Sequence, residues 1–167
     1  IVPCDWSSDV CSSDLLSLLV MAVGVNGIST LTITLTDGNA SAITGVAFTD
    51  TYPANLQNAA TPNASSTCTG AAITAAAGAN TLAVTGASIP ASGSCTVKVD
   101  VAPTTTGSFV NTLAIGAVTS TNAGANTAAA TATLTAQSGP TATKTFAPNT
   151  SPLSERNTGT GPVMVMC

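Results

Sequence analysis

The chain has 167 residues, which is enough for one domain of ordinary size. Charged residues make up 6% of the chain, whereas they make up about a quarter of a typical soluble domain. There is no histidine, so the commonest general base is missing. Three Lys and Arg residues provide no basic patch for nucleic acid. The uncharged, threonine-rich composition is typical of extracellular β-proteins and argues against a cytosolic enzyme.

The chain begins with a segment that we exclude from the fold. Residues 5–15, with the sequence DWSSDVCSSDL, resemble the translation of a common Illumina sequencing adapter. We therefore expect residues 1–15 to be an artefact of the adapter. The exclusion removes Asp5, Asp9 and Asp14, which leaves four acidic residues against three basic ones.

Residues 16–27 form a doubtful lead-in. Their apolar run resembles the core of a signal peptide, but it is too short to span a membrane and no basic residue precedes it. We interpret it instead as the edge of a fragment that runs into the first strand. The export signal and the true N-terminus therefore remain unassigned.

From residue 28 to residue 137, apolar and polar residues alternate with a period of two, which is typical of half-buried strands. Turn signals rich in Gly, Pro, Asn and Asp separate the runs. No segment has the 3.6-residue period of a helix. The pattern predicts an all-β fold, an antiparallel sandwich in preference to a barrel. Its seven predicted strands span residues 28–36, 44–51, 71–75, 81–85, 95–101, 108–118 and 127–136.

The same alternation predicts which side chains are buried. Threonines 30, 32 and 34 are expected to face outward, together with Lys98 and Asp100. Asn111 is a polar residue on an otherwise apolar face, and Ile115 is grouped with the apolar residues of the same strand. The predicted core consists of Leu31, Ile33, Val46, Phe48, Leu82, Val84, Val97, Val99, Phe109, Leu113 and Leu134.

The strand sequences resemble a known repeat. STLTITLTDGNASAITGVAFTDTYP (29–53), SGSCTVKVDV (92–101), TTTGSFVNTL (104–113) and AVTSTNAGANTAAATATLT (117–135) are similar, in this order, to an Ig-like domain of unknown function. That domain occurs in tandem in bacterial surface and secreted proteins. The resemblance covers residues 24–136 and implies an Ig-like sandwich of about seven strands. It carries little information on activity, because a fold does not fix a function.

The resemblance also bears on the two ends of the repeat. PTATKTFAP (140–148) is similar to the start of a following repeat, where a Lys-x-Phe-x-Pro segment forms the first strand. We therefore divide the chain into the sandwich (28–137), a linker with the start of a next repeat (138–153) and a doubtful tail (154–167). Cys68 and Cys95 are the two cysteines inside the repeat, and the resemblance implies a disulfide between them. Two reduced thiols in a cytosolic protein are the alternative.

Other kinds of site have weak support in the sequence. Asp37, Asp50 and Asp100 are scattered, so we assign them turn and surface roles and expect no calcium or other metal site. A Lys–Asn crosslink would need a buried acid beside the pair. Because the only Glu is Glu155 in the doubtful tail and Lys98 faces outward, we expect none. We expect no catalytic residues and no cofactor.

The sequence therefore favours a non-catalytic spacer repeat of a large, exported, adhesin-like bacterial surface protein. Its expected partners are neighbouring repeats, joined by short segments such as residues 137–141. The alternative is a module that binds an extracellular glycan or protein through the loops 55–66 and 119–126. We expect neither nucleic-acid binding nor membrane insertion.

Overall fold

The computed structural model describes residues 22–147, where every regular element is a β-strand. None of these residues forms a helix that could cross a membrane. The predictions for residues 1–21 and 148–167 concern residues outside the range that the structure describes. The strands are β1 (Ala22–Gly24), β2 (Ser29–Thr36), β3 (Ile43–Thr51), β4 (Leu56–Asn58), β5 (Ser65–Ser66), β6 (Ala72–Thr74), β7 (Thr81–Ile89), β8 (Ser94–Pro103), β9 (Gly107–Leu113) and β10 (Ala130–Gln137).

Hydrogen bonding groups these strands into three sheets. The first has the order β1-β10-β9, the second β2-β8-β4 with β5 also on β8, and the third β3-β7-β6. All pairs are antiparallel except β1 with β10. The apolar faces of all three sheets contribute to one buried cluster. The predicted all-β, Ig-like antiparallel sandwich is confirmed.

All seven predicted strands are present, and three short strands were not predicted. β1 falls in the stretch that we read as a lead-in, while β4 and β5 fall in the stretch 55–66 that we read as a loop. Each of the three has only two or three residues, which is too few for a period of two to be recognised. They form because β8 and β10 offer them hydrogen-bonding edges.

The burial pattern confirms most of the predicted core. Leu31, Ile33 and Leu134, expected to be buried, are only half-buried. Ile115 is exposed because β9 ends at Leu113. The buried members of the predicted core are Val46, Phe48, Leu82, Val84, Val97, Val99, Phe109 and Leu113.

The outward residues also follow the prediction, with one difference. The predicted threonines of β2 and Lys98 are exposed. Asp100 is half-buried, because the Thr30 hydroxyl and the Asn63 amide donate hydrogen bonds to its carboxylate at 2.6 and 2.8 Å.

Asp37 and Asp50, to which we assigned turn and surface roles, are both buried. Asp37 does lie in a turn, whereas a surface role for Asp50 is wrong. Asp37 accepts hydrogen bonds from the backbone and side-chain nitrogens of Asn39, both at 2.7 Å, and so closes the turn after β2. Asp50 is 1% exposed, since it shares the inward parity of Val46 and Phe48 on β3. The carboxyl of Asp50 has one hydrogen-bond donor in this buried position, the side-chain amide of Asn111.

The segment between β9 and β10, residues 114–129, is fastened along β3. Ala47 and Thr119 exchange two backbone hydrogen bonds of 2.9 Å. Further along, the Asn122 side chain accepts from the Thr44 nitrogen and donates to the Ala42 carbonyl, both at 2.9 Å. The predicted loop 119–126 is therefore an ordered strap across the edge of β3.

Candidate functional site

A groove runs between β2 and the β9–β10 pair, and we call it the slot. β2 is the last strand of its sheet, so its outer edge has no ladder partner among residues 22–147. β10 pairs with β1 only at residues 135–137, which leaves the edge of residues 130–134 without a partner in the same part of the chain. Two unpaired strand edges therefore flank the slot.

The slot is wider than the spacing of two paired strands. Hardly any Cα atom of β2 lies within 8 Å of a Cα atom of β10, whereas hydrogen-bonded strands lie about 4.8 Å apart. Three cavities of 270, 120 and 220 Å³ follow one another along it and share lining residues. The three cavities are lined by inward leucines and also by outward threonines of β2. Because both faces of the strand contribute, the slot runs along the edge of β2. This opening explains why Leu31, Ile33 and Leu134 are half-buried.

The cavity at one end of the slot lies against the 114–129 segment. Its lining includes Ile33 and Leu35 of β2 and Leu113 of β9. Residues 118–120 and 123–126 of the 114–129 segment line it as well. One of the two loops that we had named as binding loops, 119–126, therefore borders a cavity. The other loop, 55–66, does not line this cavity; its Leu56 lines the cavity at the opposite end.

A polar pair lies at the middle of the slot. Asn111 of β9 donates from Nδ2 to Oδ2 of Asp50 at 2.7 Å. The two residues are 8% and 1% exposed, and both line the middle cavity. Asp50 Oδ1 and Asn111 Oδ1 have no hydrogen-bond partner among the described residues. The pair can therefore accept hydrogen bonds from a donor that enters the slot.

Burial changes the pKa of Asp50. Desolvation raises the pKa of Asp50 above its usual value, and the hydrogen bond from Asn111 opposes the shift. The neighbouring Tyr52 is also buried, and desolvation together with the negative charge of Asp50 raises the pKa of its hydroxyl. That hydroxyl donates to Asn58 Oδ1 at 2.9 Å. Burial therefore favours the protonated form of Asp50 relative to an exposed carboxyl.

The two cysteines of the domain lie next to each other in the structure. The structure places the sulfur atoms of Cys68 and Cys95 2.09 Å apart and their Cα atoms 5.0 Å apart. Both residues are buried. This geometry links the segment after β5 to the start of β8. The redox state remains a prediction that thiol labelling tests.

Metal binding and a crosslink through Lys98 have no support in the arrangement. Residues 22–147 contain no group of three carboxylate or thiol side chains that could hold a metal ion. Lys98 is exposed on β8. Glu155 lies outside the described residues.

The sequence places the domain in a family. A family model described as a domain of unknown function, DUF7933, matches residues 18–136. The chain belongs to this family. The DUF7933 match includes all the strands from β1 to β9 and nearly all of β10. No curated protein matches the chain.

A structure comparison finds a solved domain that is similar to this chain. It is a collagen-binding domain from a Staphylococcus aureus adhesin, with 16% sequence identity and a TM-score of 0.45. The match covers 66% of this chain and 89% of the adhesin domain. At this TM-score the similarity carries no argument about the DUF7933 domain.

The sequence analysis missed Asp50 and Asn111 as a pair, although both had a detectable signal. Asp50 has the parity of Val46 and Phe48, and Asn111 has the parity of Phe109 and Leu113. Each is therefore a polar residue at an inward position of a strand. Their proximity was not predictable, because β3 and β9 belong to different sheets.

Proposed function

We propose that the chain is a non-catalytic spacer repeat of an exported, adhesin-like bacterial surface protein, joined end to end with similar repeats. The observation that carries this proposal is the parallel pairing of the first and last described strands. Ala22 lies opposite Thr135, and Gly24 lies opposite Gln137. At β1 the chain therefore runs in the same direction as β10, toward the end of the sandwich at which β10 finishes.

The parallel direction of the first and last described strands is compatible with a linear array of units. If the first and last strands were antiparallel, the chain would enter and leave at the same end, and consecutive units would fold back. With parallel strands, each unit adds its own length to the array. The short Ser138-Gly139-Pro140 segment after β10 leaves little room for one unit to fold onto the previous one.

Export is part of the same proposal. Its support is the close approach of Cys68 and Cys95, because disulfides persist in oxidising compartments and are rare in the cytosol. The low charge and the threonine-rich outward faces agree with an extracellular location.

Small-angle X-ray scattering of proteins with one, two and three copies of residues 16–140 in tandem tests the spacer function. We expect the maximum dimension to increase by a constant step with each copy. A maximum dimension that stays nearly constant would show that the units fold back on one another, and the spacer function would be rejected. Proteins in which Pro140 is replaced by a flexible Gly-Ser linker provide the control for stiffness of the joint.

The second candidate is a binding module, which the 270 Å³ cavity beside the 114–129 segment favours. A glycan array and a panel of extracellular proteins provide the first screen. Ala123→Trp would fill the mouth of the cavity and should abolish binding. Ala60→Trp is the matched control, because Ala60 is exposed and itself lines none of the three cavities. Absence of binding, or equal binding by both variants, would reject this cavity as the site.

A further inference from the structure

The Asp50–Asn111 pair joins two sheets through a buried contact in which two acceptors lack a donor. Asp50 belongs to β3 and Asn111 to β9, and these strands lie in different sheets. Asn111 Nδ2 donates to Asp50 Oδ2 at 2.7 Å. The remaining oxygens, Asp50 Oδ1 and Asn111 Oδ1, are buried and have no hydrogen-bond partner among the described residues. The pair therefore makes one hydrogen bond and leaves one oxygen of each side chain unserved.

A single proton can serve both of these oxygens. An amide oxygen and an ionised carboxylate oxygen only accept hydrogen bonds, so neither can donate to the other. A protonated carboxyl, in contrast, has one O–H donor. With the proton on Asp50 Oδ1, the carboxyl can donate to Asn111 Oδ1 while Asp50 Oδ2 accepts from Asn111 Nδ2. The acid and the amide are then joined by two hydrogen bonds that run in opposite directions.

The strands packed around Asp50 present apolar side chains to it. On β7 the residue opposite Asp50 is Leu82, which is fully buried. On β2, Leu31 and Ile33 line the same cavity as the pair. Among residues 22–147, the titratable group that senses the charge of Asp50 is Tyr52 on β3 itself, and its hydroxyl donates to a different side chain. No neighbour in this part of the chain supplies a cation that would replace the proton.

The other charged side chains of the described residues lie at outward positions of β8, in the turn after β2 and beyond β10. They are Lys98, Asp100, Asp37 and Lys144. The pKa of Asp50 is raised by burial and lowered in part by the Asn111 hydrogen bond, and none of these charges contributes to the shift. The protonation of Asp50 is therefore governed by burial and by its amide partner.

We propose that the Asp50–Asn111 pair is a proton-operated clasp between β3 and β9, closed by two hydrogen bonds when Asp50 is protonated and held by one when it is ionised. The carboxyl takes its proton from solvent and returns it to solvent, and no other bond forms or breaks. The clasp contributes more to stability in acidic than in neutral surroundings. This regulation goes beyond the spacer function and does not depend on it.

The proton linkage of the clasp has a definite sign and size. Between the unfolded pKa of about 3.8 and the higher folded pKa, the folded chain holds one proton more than the unfolded chain. In this window the clasp should raise the equilibrium constant for unfolding about tenfold for each unit of pH. The contribution is complete below the unfolded pKa, and the loss ends above the folded pKa.

Four full-length proteins that differ only in these two side chains test the clasp. They are the wild type, Asp50→Asn, Asn111→Asp and the double variant in which the acid and the amide exchange places. The four pairs have nearly the same size, so the packing of β3 against β9 is retained. Urea denaturation from below the unfolded pKa of about 3.8 to neutral pH gives the unfolding constants. The other acidic residues are common to all four proteins and cancel in the ratios of these constants.

Asp50→Asn should keep the clasp closed and remove its dependence on pH. The introduced amide can donate to Asn111 Oδ1 and accept from Asn111 Nδ2, which is the pattern of the protonated carboxyl. The unfolding constants of this variant and the wild type should be similar at low pH and diverge about tenfold per pH unit in the window above it. Asp50→Leu is the control. It should be less stable than Asp50→Asn at every pH, because it leaves the buried amide of Asn111 without either hydrogen bond.

Asn111→Asp should extend the dependence to higher pH. Two carboxyls in one buried contact repel each other when both are ionised. The pair should therefore retain a shared proton at a pH at which the wild type has lost its own. The increase in the unfolding constant should continue beyond the pH at which it ends in the wild type. Unfolding of this variant at neutral pH that is reversed by acid would have the same meaning.

The double variant distinguishes the clasp from the mere burial of a carboxyl. In the closed clasp the acid and the amide each donate once and accept once, so their exchange should restore the pH dependence of the wild type. Carbon-13 NMR of labelled aspartate follows the carboxyl directly. In the wild type and in the double variant we expect one carboxyl that titrates above 3.8 and that is absent from Asp50→Asn.

Three results would overturn the proposal. The first is an Asp50→Asn protein whose stability depends on pH in the same way as that of the wild type. The second is a double variant that folds but lacks the wild-type dependence. The third is a folded wild type in which the carboxyl of Asp50 titrates at or below 3.8. The spacer function would be unaffected by any of them, since scattering from tandem proteins measures it independently.

Discussion

Asn111 on β9 donates a hydrogen bond of 2.7 Å to Asp50 on β3, although 61 positions separate the two residues in the chain. The bond connects strands of two different sheets across the core. It offers the buried carboxyl a donor at one oxygen and leaves the other oxygen without a hydrogen-bond partner among the described residues. Burial of the carboxyl without a second partner is unfavourable, and the hydrogen bond from Asn111 offsets part of that cost.

Loss of the Asn111 amide should destabilise the fold. Asn111→Leu fills a similar volume but removes the donor to Asp50, so a buried carboxyl loses a hydrogen bond. We expect the free energy of unfolding at neutral pH to fall by roughly 1–3 kcal/mol, measured by urea denaturation. Thr112→Val, at the exposed neighbouring position of β9, is the control and should change it by less than about 0.5 kcal/mol. Equal stability of the wild type and Asn111→Leu would contradict a structural role for the hydrogen bond.

The raised pKa of Asp50 predicts the sign of a pH dependence. A carboxyl with a higher pKa in the folded than in the unfolded protein binds its proton more tightly in the fold. Its favourable contribution is complete below the unfolded pKa of about 3.8 and is lost as the pH rises through the folded pKa. Asp50→Asn should therefore gain stability relative to wild type as the pH rises from about 3.8.

Asp100 provides a control of opposite sign for that experiment. Hydrogen bonds from Thr30 and Asn63 lower its pKa. Its contribution is present above the unfolded pKa and is lost as the pH falls through the folded one. Asp100→Asn should thus lose stability relative to wild type as the pH rises. Denaturation curves at several pH values, in which both variants showed the same trend, would refute the assignment for Asp50.

The proposed disulfide between Cys68 and Cys95 predicts a large and redox-sensitive contribution to stability. Closing the loop between Cys68 and Cys95, 27 positions apart, should stabilise the fold by about 3.5 kcal/mol in the chain-entropy model. Cys68→Ser with Cys95→Ser should lose that amount, and a reductant should bring the wild type close to the double variant. Alkylation of the unfolded, unreduced protein with peptide mapping decides the redox state. Labelling of both residues would show that they are free thiols.

Gly45 should be required for the strap over β3. Its φ is +62°, and an added Cβ would lie 2.5 Å from Cγ2 of Thr121. Gly45→Ala should reduce stability by more than about 1 kcal/mol and loosen the 114–129 segment. Gly78 has a φ of +71° but open space around it. Gly78→Ala therefore measures the cost of a positive φ for alanine without a steric clash. Hydrogen exchange of the Thr119 and Thr121 amides reports the loosening. Equal effects of the two substitutions would show that the clash is unimportant.

Deletion of residues 1–15 should leave the melting temperature unchanged. The prediction follows from their resemblance to a translated adapter, since an artefact has no reason to stabilise the fold. Differential scanning calorimetry of the full chain and the truncated chain provides the comparison. A large decrease in melting temperature would show that these residues belong to the folded protein.

The sequence predicted the fold class and most of the core because the period of two is a local property. Val97 and Val99 are buried and Lys98 is exposed, as their alternation requires. The same rule failed for Leu31 and Ile33, which face inward but stay half-exposed. Alternation indicates the face on which a side chain lies, whereas its burial depends on what packs opposite. Here the opposite edge of β10 is too far away to cover them.

Sequence alone thus determined an all-β chain of alternating strands, inward valines and leucines, and outward threonines. Tertiary structure alone decided which strand edges remain unpaired and which inward polar residues meet. Both depend on contacts between residues far apart in the chain, such as Asp50 with Asn111 and Ala22 with Thr135. A local pattern does not encode such pairings, because the same alternation is compatible with many strand orders. The slot exists because the strand order leaves β2 and residues 130–134 facing each other without a partner among the described residues.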